Sequence, residues 1–99
     1  MNLRKLARDQ ECQIRIPGVC CRDDSTVVLA HFRMAGLCGT GKKPSDLIGA
    51  WACRSCHDAI DGRIKTPYSH DELRLMHLEG MARTLNELVK QGVFSGLVG

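Results

Sequence analysis

The segment Trp51–Asp61, with the sequence WACRSCHDAID, contains several residue types that can do chemistry. Cys53 and Cys56 have the two-residue spacing with which two thiolates bind one zinc ion. His57 follows the second thiol directly, and Asp61 comes four residues later. If a helix begins at Cys56, that thiol can face a metal while His57 and Asp61 share another side one turn apart. The spacing therefore predicts one segment that serves two sites, one for folding and one for chemistry.

A second group of cysteines lies upstream, in the sequence CQIRIPGVCC. Apolar and polar side chains alternate over residues 13–16, which predicts a half-buried strand, and the Pro-Gly pair at 17–18 predicts a turn. Such a hairpin would bring Cys12 and Cys20 to the same side. Cys21 would then project the other way. We therefore favour Cys20 as the metal ligand, although the sequence alone leaves Cys21 open.

Together the two cysteine pairs predict a four-thiolate zinc site that closes a loop of about forty residues. Such a staple suits a chain of 99 residues in which only 4% are aromatic. The N-terminus is charged and has no apolar h-region, so we expect a cytoplasmic chain whose cysteines bind metal and form no disulfides. A thioredoxin-like redox pair would need a βαβ setting, which is missing. Cys38 has no partner at ligand spacing and is expected to be a free thiol.

The elements that must position these residues follow from hydrophobic patterning and turn signals. We predict a short helix over residues 3–9, a strand over 26–32 that ends near His31, and a short strand over 47–52. A glycine-rich basic loop, residues 34–44, separates the two strands. It contains Lys42 and Lys43 but does not match a P-loop, because Pro44 follows Lys43.

A capping box, Ser69 to Glu72, predicts a C-terminal helix over about residues 70–91, with Gly92 as a stop signal. Apolar residues recur along this helix at intervals of three and four. They are Leu75, Leu78, Ala82, Leu85 and Val89, with Met81 and Leu88 beside them. The stripe predicts a face that packs on the core, and a homodimer seam is the alternative interpretation.

Three short stretches resemble the HNH endonucleases, the ββα-metal nucleases with a treble-clef-like zinc core: LAHF at 29–32, DLI at 46–48 and ACRSCH at 52–57. Nearly the whole chain is similar to the small YbcO-type nucleases that prophages encode. The resemblance implies an α+β fold, with a zinc-stabilised treble-clef or ββα-metal core over about residues 26–62. A short N-terminal helix and a longer C-terminal helix flank this core in a single domain, residues 1–99.

The resemblance also implies an activity, the metal-dependent hydrolysis of phosphodiester bonds in DNA. It makes His31 the general base, a role suited to a side chain that ordinarily titrates near neutral pH. It makes His57 a ligand of a catalytic divalent cation, Mg²⁺ or Mn²⁺. Asp61 is our own geometric candidate for a second ligand. Arg54 could hold a phosphate, and a solvated surface role is the alternative.

Two positions depart from the HNH pattern. Many members carry an Asp or His metal ligand just before the base histidine, where this chain has Ala30. The middle asparagine that usually orients the base has no match at its usual place, and Asp46 is the nearest polar candidate.

The net charge of +3 is mild, and basic residues near the central segment predict contacts to DNA through Arg54, Lys42 and Lys43. No window is apolar enough for a membrane span, and we expect no small-molecule organic cofactor. A second hypothesis is a non-catalytic zinc module that binds DNA or a phage replication or recombination protein.

Overall fold

A computed structural model describes residues 2–37 and 44–96 of the chain. Within them, a two-stranded sheet and three α-helices form a small mixed α and β structure. The elements are α1 (Leu3–Ala7), β1 (Val28–His31), β2 (Gly49–Ala52), α2 (Arg54–Ile60) and α3 (His70–Lys90), with a 3-10 turn (Asp24–Thr26) before β1. In these two ranges, no helix is both long and apolar enough to cross a bilayer.

The two strands pair antiparallel, with Ala30 opposite Ala50 and His31 opposite Gly49. The first strand is shorter than predicted because the Asp23 side chain accepts from the backbone N–H of Ser25 and caps the 3-10 turn. All four residues of β2 are buried. This buried strand leads directly into the CxxC segment and holds it against the sheet.

Helix α2 begins two residues earlier than predicted, because Cys53 rather than Cys56 lies at its N-terminus. Cys53 has extended backbone angles, and its sulfur accepts the N–H of Cys56 at 3.5 Å. A thiolate at this position stabilises the free N–H groups of the first turn. The helix ends at Ile60, and Gly62 adopts a left-handed φ of 76°.

The predicted capping box at the start of α3 is confirmed. Ser69 Oγ accepts the N–H of Glu72 at 3.1 Å, and Glu72 Oε1 accepts the N–H of Ser69 at 2.9 Å. The helix stops at Lys90, and Gly92 follows with a φ of 78°, as the stop signal predicted.

The predicted core face of α3 is wrong. Leu75, Leu78 and Val89 are 58%, 40% and 39% exposed. Leu88, which the prediction placed beside the stripe, is buried. Three positions that it did not name are also buried against the sheet and the cysteine-rich segment: His77, Gly80 and Thr84. A homodimer through the exposed stripe stays a prediction.

The buried polar residues of α3 satisfy the hydrogen-bonding groups on the outer edges of the small sheet. Thr84 Oγ1 accepts the N–H of Trp51 at 3.0 Å, and His77 Nε2 lies 2.9 Å from the carbonyl oxygen of Ala30. A buried backbone group without a partner costs about 1–3 kcal/mol. Because the sheet has only two strands, α3 must supply these partners, and its inner face is therefore partly polar.

The predicted strand over residues 13–16 is also wrong. Arg15 adopts a left-handed φ of 54°, and its Nε donates to the carbonyl oxygen of Cys12 at 3.2 Å. This folds the segment back on itself, so Gln13 is buried along with Ile14 and Ile16. The Pro-Gly turn at 17–18 is confirmed, with a φ of 76° at Gly18.

Helix α3 fixes this cysteine-bearing segment at close range. Arg83 donates to the carbonyl oxygens of Gln13 and Ile14, at 2.8 and 3.3 Å. A Cβ atom at Gly80 would lie only 2.9 Å from Ile14 Cγ1 and 3.0 Å from its Cα. The segment that carries Cys12 therefore lies directly on α3, which links the C-terminal helix to the candidate metal centre.

Candidate metal centre and histidine-lined cleft

Four cysteine sulfurs from distant parts of the chain lie close together in the fold. The Sγ atoms of Cys12, Cys20, Cys53 and Cys56 all lie within 4.8 Å of one another. The Sγ atoms of Cys20 and Cys53 are 3.7 Å apart. A tetrahedral zinc site with Zn–S bonds of about 2.3 Å requires sulfurs about 3.8 Å apart. The four cysteines therefore could hold a metal ion, and their donor set and spacing fit zinc.

A metal binds cysteines as thiolates, and the pKa values of these four thiols differ because their hydrogen bonds and burial differ. A hydrogen bond from the Cys56 thiol, helped by the backbone N–H of Arg15, lowers the pKa of Cys12 to about 4. The same pairing raises the pKa of Cys56. Burial raises the pKa of Cys20 to about 11. Without a cation the cluster stabilises some thiolates at the expense of others, and a bound divalent cation would favour deprotonation of all four.

The structure brings Cys20 into this cluster and leaves Cys21 outside it. Cys21 is exposed, and its Sγ lies 3.8 Å from Thr26 Oγ1. A hydrogen bond from the backbone N–H of Asp23 lowers the pKa of Cys21 to about 7. The predicted free thiol, Cys38, lies outside the described residues.

A cleft of about 470 Å³ lies between β1 and the C-terminal end of α2. His31 enters it from β1, and His57 and Asp61 enter it from α2 and its C-cap. Its walls are formed by Arg4, Val28, Leu29, His31, Arg33, His57, Asp61 and Arg63. The two histidines that the sequence singled out therefore share one cavity.

His31 is held in place by a carboxylate. Its side chain is only 9% exposed, and its Nε2 lies 2.8 Å from Asp46 Oδ1. The same oxygen accepts from Arg4 Nε at 3.2 Å. The hydrogen bond from His31, reinforced by Arg4, lowers the pKa of Asp46. Asp46 is therefore ionised near neutral pH and holds the imidazole by this hydrogen bond. From the sequence, it is the nearest polar candidate for the role of the middle asparagine.

His57 and Asp61 lie on the same side of α2, as their four-residue spacing predicted. His57 Nε2 is 3.3 Å from Asp61 Oδ2, and both side chains are about one-third exposed. Asp61 Oδ2 also contacts Arg63 Nη2 at 3.2 Å, while Arg63 Nη1 contacts Asp58 at 3.2 Å. The pair offers one nitrogen and one carboxylate oxygen to the cleft.

Not every predicted site residue reaches this cleft. Arg54 is exposed, its backbone N–H donates to Thr26 Oγ1 at 3.1 Å, and it is not among the lining residues. Lys42 and Lys43 lie outside the described residues. Sequence reasoning missed Arg4 and Arg33 as cleft residues. The sequence shows that both residues are basic. Because they are far along the chain from the CxxCH segment, it does not show that they lie near His57 in the fold.

Fold and site together define a small mixed α and β protein with a cluster of four cysteines that could hold a metal ion and a cleft lined by two histidines. A profile of the family described as "Putative nuclease YbcO" matches residues 1–93. The chain therefore belongs to this family.

Known relatives agree with this assignment. The chain is 53% identical over 95 residues to "Putative nuclease YbcO" of Escherichia coli strain K12, across 93% of this chain and 95% of the relative. The values are the same for "Putative nuclease ybcO" of Enterobacteria phage 82. These names support a nuclease function, and thus a hydrolase, at the family level.

A solved structure is also similar. It is titled "Structure of a putative bacteriophage protein from Escherichia coli str. K-12 substr. MG1655", and it is 46% identical in sequence with a TM-score of 0.75. The match covers 91% of this chain and 99% of that one.

Proposed function

We propose that this chain is a metal-dependent DNA endonuclease of the HNH type, which hydrolyses phosphodiester bonds. In this proposal residues 1–99 form a single domain, and residues 26–62 form a treble-clef-like ββα-metal core. One observation carries the proposal: His31 of β1 and His57 of α2 line the same cleft. The succession of β1, β2 and α2 that brings them together supports the same assignment.

The four-cysteine centre is proposed to hold a structural zinc ion. Four thiolates complete a tetrahedral shell and leave no open position for water or substrate. The centre ties the segment around Cys12 and Cys20 to the start of α2. Its role is thus to hold α2, and with it His57, against the sheet.

His31 is proposed as the general base. The carboxylate of Asp46 accepts a hydrogen from Nε2 of His31, which leaves Nδ1 unprotonated and able to take a proton from water. The resulting hydroxide attacks phosphorus as the bond to the leaving oxygen breaks. Asp46, whose side chain is about one-third exposed, then stabilises the imidazolium that forms, as a carboxylate does for other catalytic histidines.

His57 and Asp61 are proposed to hold the catalytic divalent cation, Mg²⁺ or Mn²⁺. One imidazole nitrogen and one carboxylate oxygen suit Mn²⁺, and a small number of protein ligands with water and phosphate oxygens suits Mg²⁺. When bound, such a cation polarises the phosphate and stabilises charge on the leaving oxygen. Asp61 lines the same cleft as His57, and its Oδ2 also lies 3.2 Å from Arg63 Nη2.

DNA is the proposed substrate. Arg4, Arg33 and Arg63 place positive charge along the cleft walls, and guanidinium groups bind phosphate well. Arg54, which does not line the cleft, and Lys42 and Lys43, which lie outside the described residues, remain predicted DNA contacts. A plasmid therefore provides a suitable first substrate.

The test is a plasmid-nicking assay with Mg²⁺ or Mn²⁺. His31→Ala should lower the nicking rate by ~10²–10⁴-fold, the range expected for a lost general base. His57→Ala should also lower it, because the cation loses a ligand. Asp46→Asn should lower the nicking rate as well, because the uncharged amide does not stabilise the imidazolium that forms at His31. Asp71→Asn is the matched control, since that carboxylate is fully exposed on α3. Circular dichroism and zinc content confirm folding, and full activity of the His31 variant would refute the mechanism.

A second function is favoured by one observation, the alanine at position 30. Many HNH enzymes carry a cation ligand there, and this alanine is buried with its carbonyl bonded to His77. A non-catalytic zinc module that binds DNA, or a phage replication or recombination protein, would need no such ligand. It predicts DNA binding that is unchanged in the His31 and His57 variants, with no cleavage under either cation.

A further inference from the structure

The cleft continues into a second, smaller cavity toward the start of α3. This cavity has a volume of about 160 Å³ and shares His31, Arg33 and Asp61 with the cleft. On its other side lie Phe32, Arg74 and His77. A strand of DNA bound at His31 would therefore pass Arg33 before it reached Arg74.

The arginines along this path differ in how their charge is compensated. Arg4 contacts Asp46, and Arg63 contacts both Asp58 and Asp61. Arg33 and Arg74 have no acidic partner within residues 2–37 and 44–96. Asp61, the one carboxylate among the described residues that line the cavity, already contacts His57 and Arg63.

Arg74 is nevertheless held in a defined position. Its guanidinium carbon lies 4.6 Å from the centre of the Phe32 ring, and its Nη1 donates to the carbonyl oxygen of Arg33 at 3.4 Å. This contact uses one of its five N–H groups and leaves the others for a further acceptor. Both arginines line the same small cavity, and a cavity lined by charge of one sign attracts counter-ions of the opposite sign.

We propose that Arg33 and Arg74 form a subsite for a backbone phosphate of the DNA strand next to the phosphate that is cleaved. The planar guanidinium of Arg74, which stacks on Phe32, would donate two parallel hydrogen bonds to the oxygens of one phosphate. Arg33 would add charge at the junction of the two cavities. This proposal rests on the proposed function only in that the ligand is DNA, and it requires no cleavage.

The experiment measures binding without catalysis. A His31→Ala protein, in buffer without added Mg²⁺ or Mn²⁺, is titrated against a fluorescein-labelled duplex at several salt concentrations, and binding is followed by anisotropy. Each phosphate contact contributes about 0.9 to the slope of log K against log salt, or about 3.5-fold in affinity between roughly 50 and 200 mM. Arg33→Gln and Arg74→Gln should each flatten the slope by about this amount.

Two further variants make the result specific. Lys90→Gln removes an exposed charge at the far end of α3, and it should leave the slope unchanged. Arg74→Lys keeps the charge but loses the two parallel N–H donors of the guanidinium. The salt dependence of binding should therefore stay the same, while the affinity for DNA falls. Since Arg33 is exposed, its substitution should not disturb folding, and circular dichroism checks this for Arg74.

An unchanged slope in both glutamine variants, or no DNA binding at any salt concentration, would overturn the subsite. If the slope flattens as expected but plasmid nicking is absent, the subsite stands and the nuclease proposal fails. The two proposals can therefore fail separately.

Discussion

The four-cysteine centre predicts that replacing Cys56 by serine lowers zinc affinity and destabilises the fold. Cys56 is fully buried in the first turn of α2. Serine has nearly the same shape but is a much poorer zinc ligand than a thiolate. Zinc affinity should fall more than the ~10–100-fold that follows loss of a residue supporting a ligand.

The expected effect on stability follows from the composition of the core. Only six of the buried apolar residues in the described ranges are larger than cysteine or alanine: Ile14, Ile16, Val27, Phe32, Trp51 and Leu88. At ~1.5–3 kcal/mol each, they contribute about 10–20 kcal/mol. A structural zinc site contributes a comparable ~10–16 kcal/mol, whereas net stability of a domain is only ~5–15 kcal/mol. The metal-free protein should therefore be unfolded at room temperature.

The assay combines zinc content of the purified protein, measured by mass spectrometry, with far-ultraviolet circular dichroism. Wild type should carry equimolar zinc and unfold when a strong chelator is added, while Cys56→Ser should contain little zinc and little helix. Cys21→Ser is the matched control, because Cys21 is exposed and outside the cluster. Equal zinc content and equal melting in the two variants would refute the assignment of ligands.

Three smaller predictions concern the polar contacts of α3. Thr84→Val leaves the N–H of Trp51 without its acceptor, which costs about 1–3 kcal/mol. The melting temperature should fall by about 4–8 °C for each kcal/mol lost. Thr84→Ser keeps the hydroxyl and should lose less stability. Burial lowers the pKa of His77 below 6.5; the unfolded chain therefore binds more protons, and stability should be complete above about pH 6.5 and fall as the pH drops. His77→Gln should flatten this dependence in pH-dependent melts. Ser69→Ala removes the cap of α3 and should cost about 1 kcal/mol in urea unfolding, whereas a change below the detection limit would show that the cap contributes nothing.

Much of the local structure could be predicted from the sequence because it depends on neighbouring residues. The CxxC spacing, the Ser69 capping box and the left-handed glycine after α3 are each set within one turn of chain. The four-residue separation of His57 and Asp61 likewise requires only a helix between them, and α2 provides it. The two strands were predicted from their apolar and β-branched residues, and the structure pairs them antiparallel.

Other features were decided only by tertiary packing. Hydropathy placed Leu75 and Leu78 in the core, but a two-stranded sheet needs hydrogen-bonding partners at its edges, and α3 turns His77 and Thr84 inward to supply them. The approach of Arg33 to Arg74 joins residues 41 positions apart, which no local pattern encodes. The sequence by itself therefore determined the CxxC pair and the ends of α3, through short-range spacing. The tertiary structure decided which face of α3 is buried and which charges meet in the cleft, because these depend on satisfying polar groups of segments far apart in the chain.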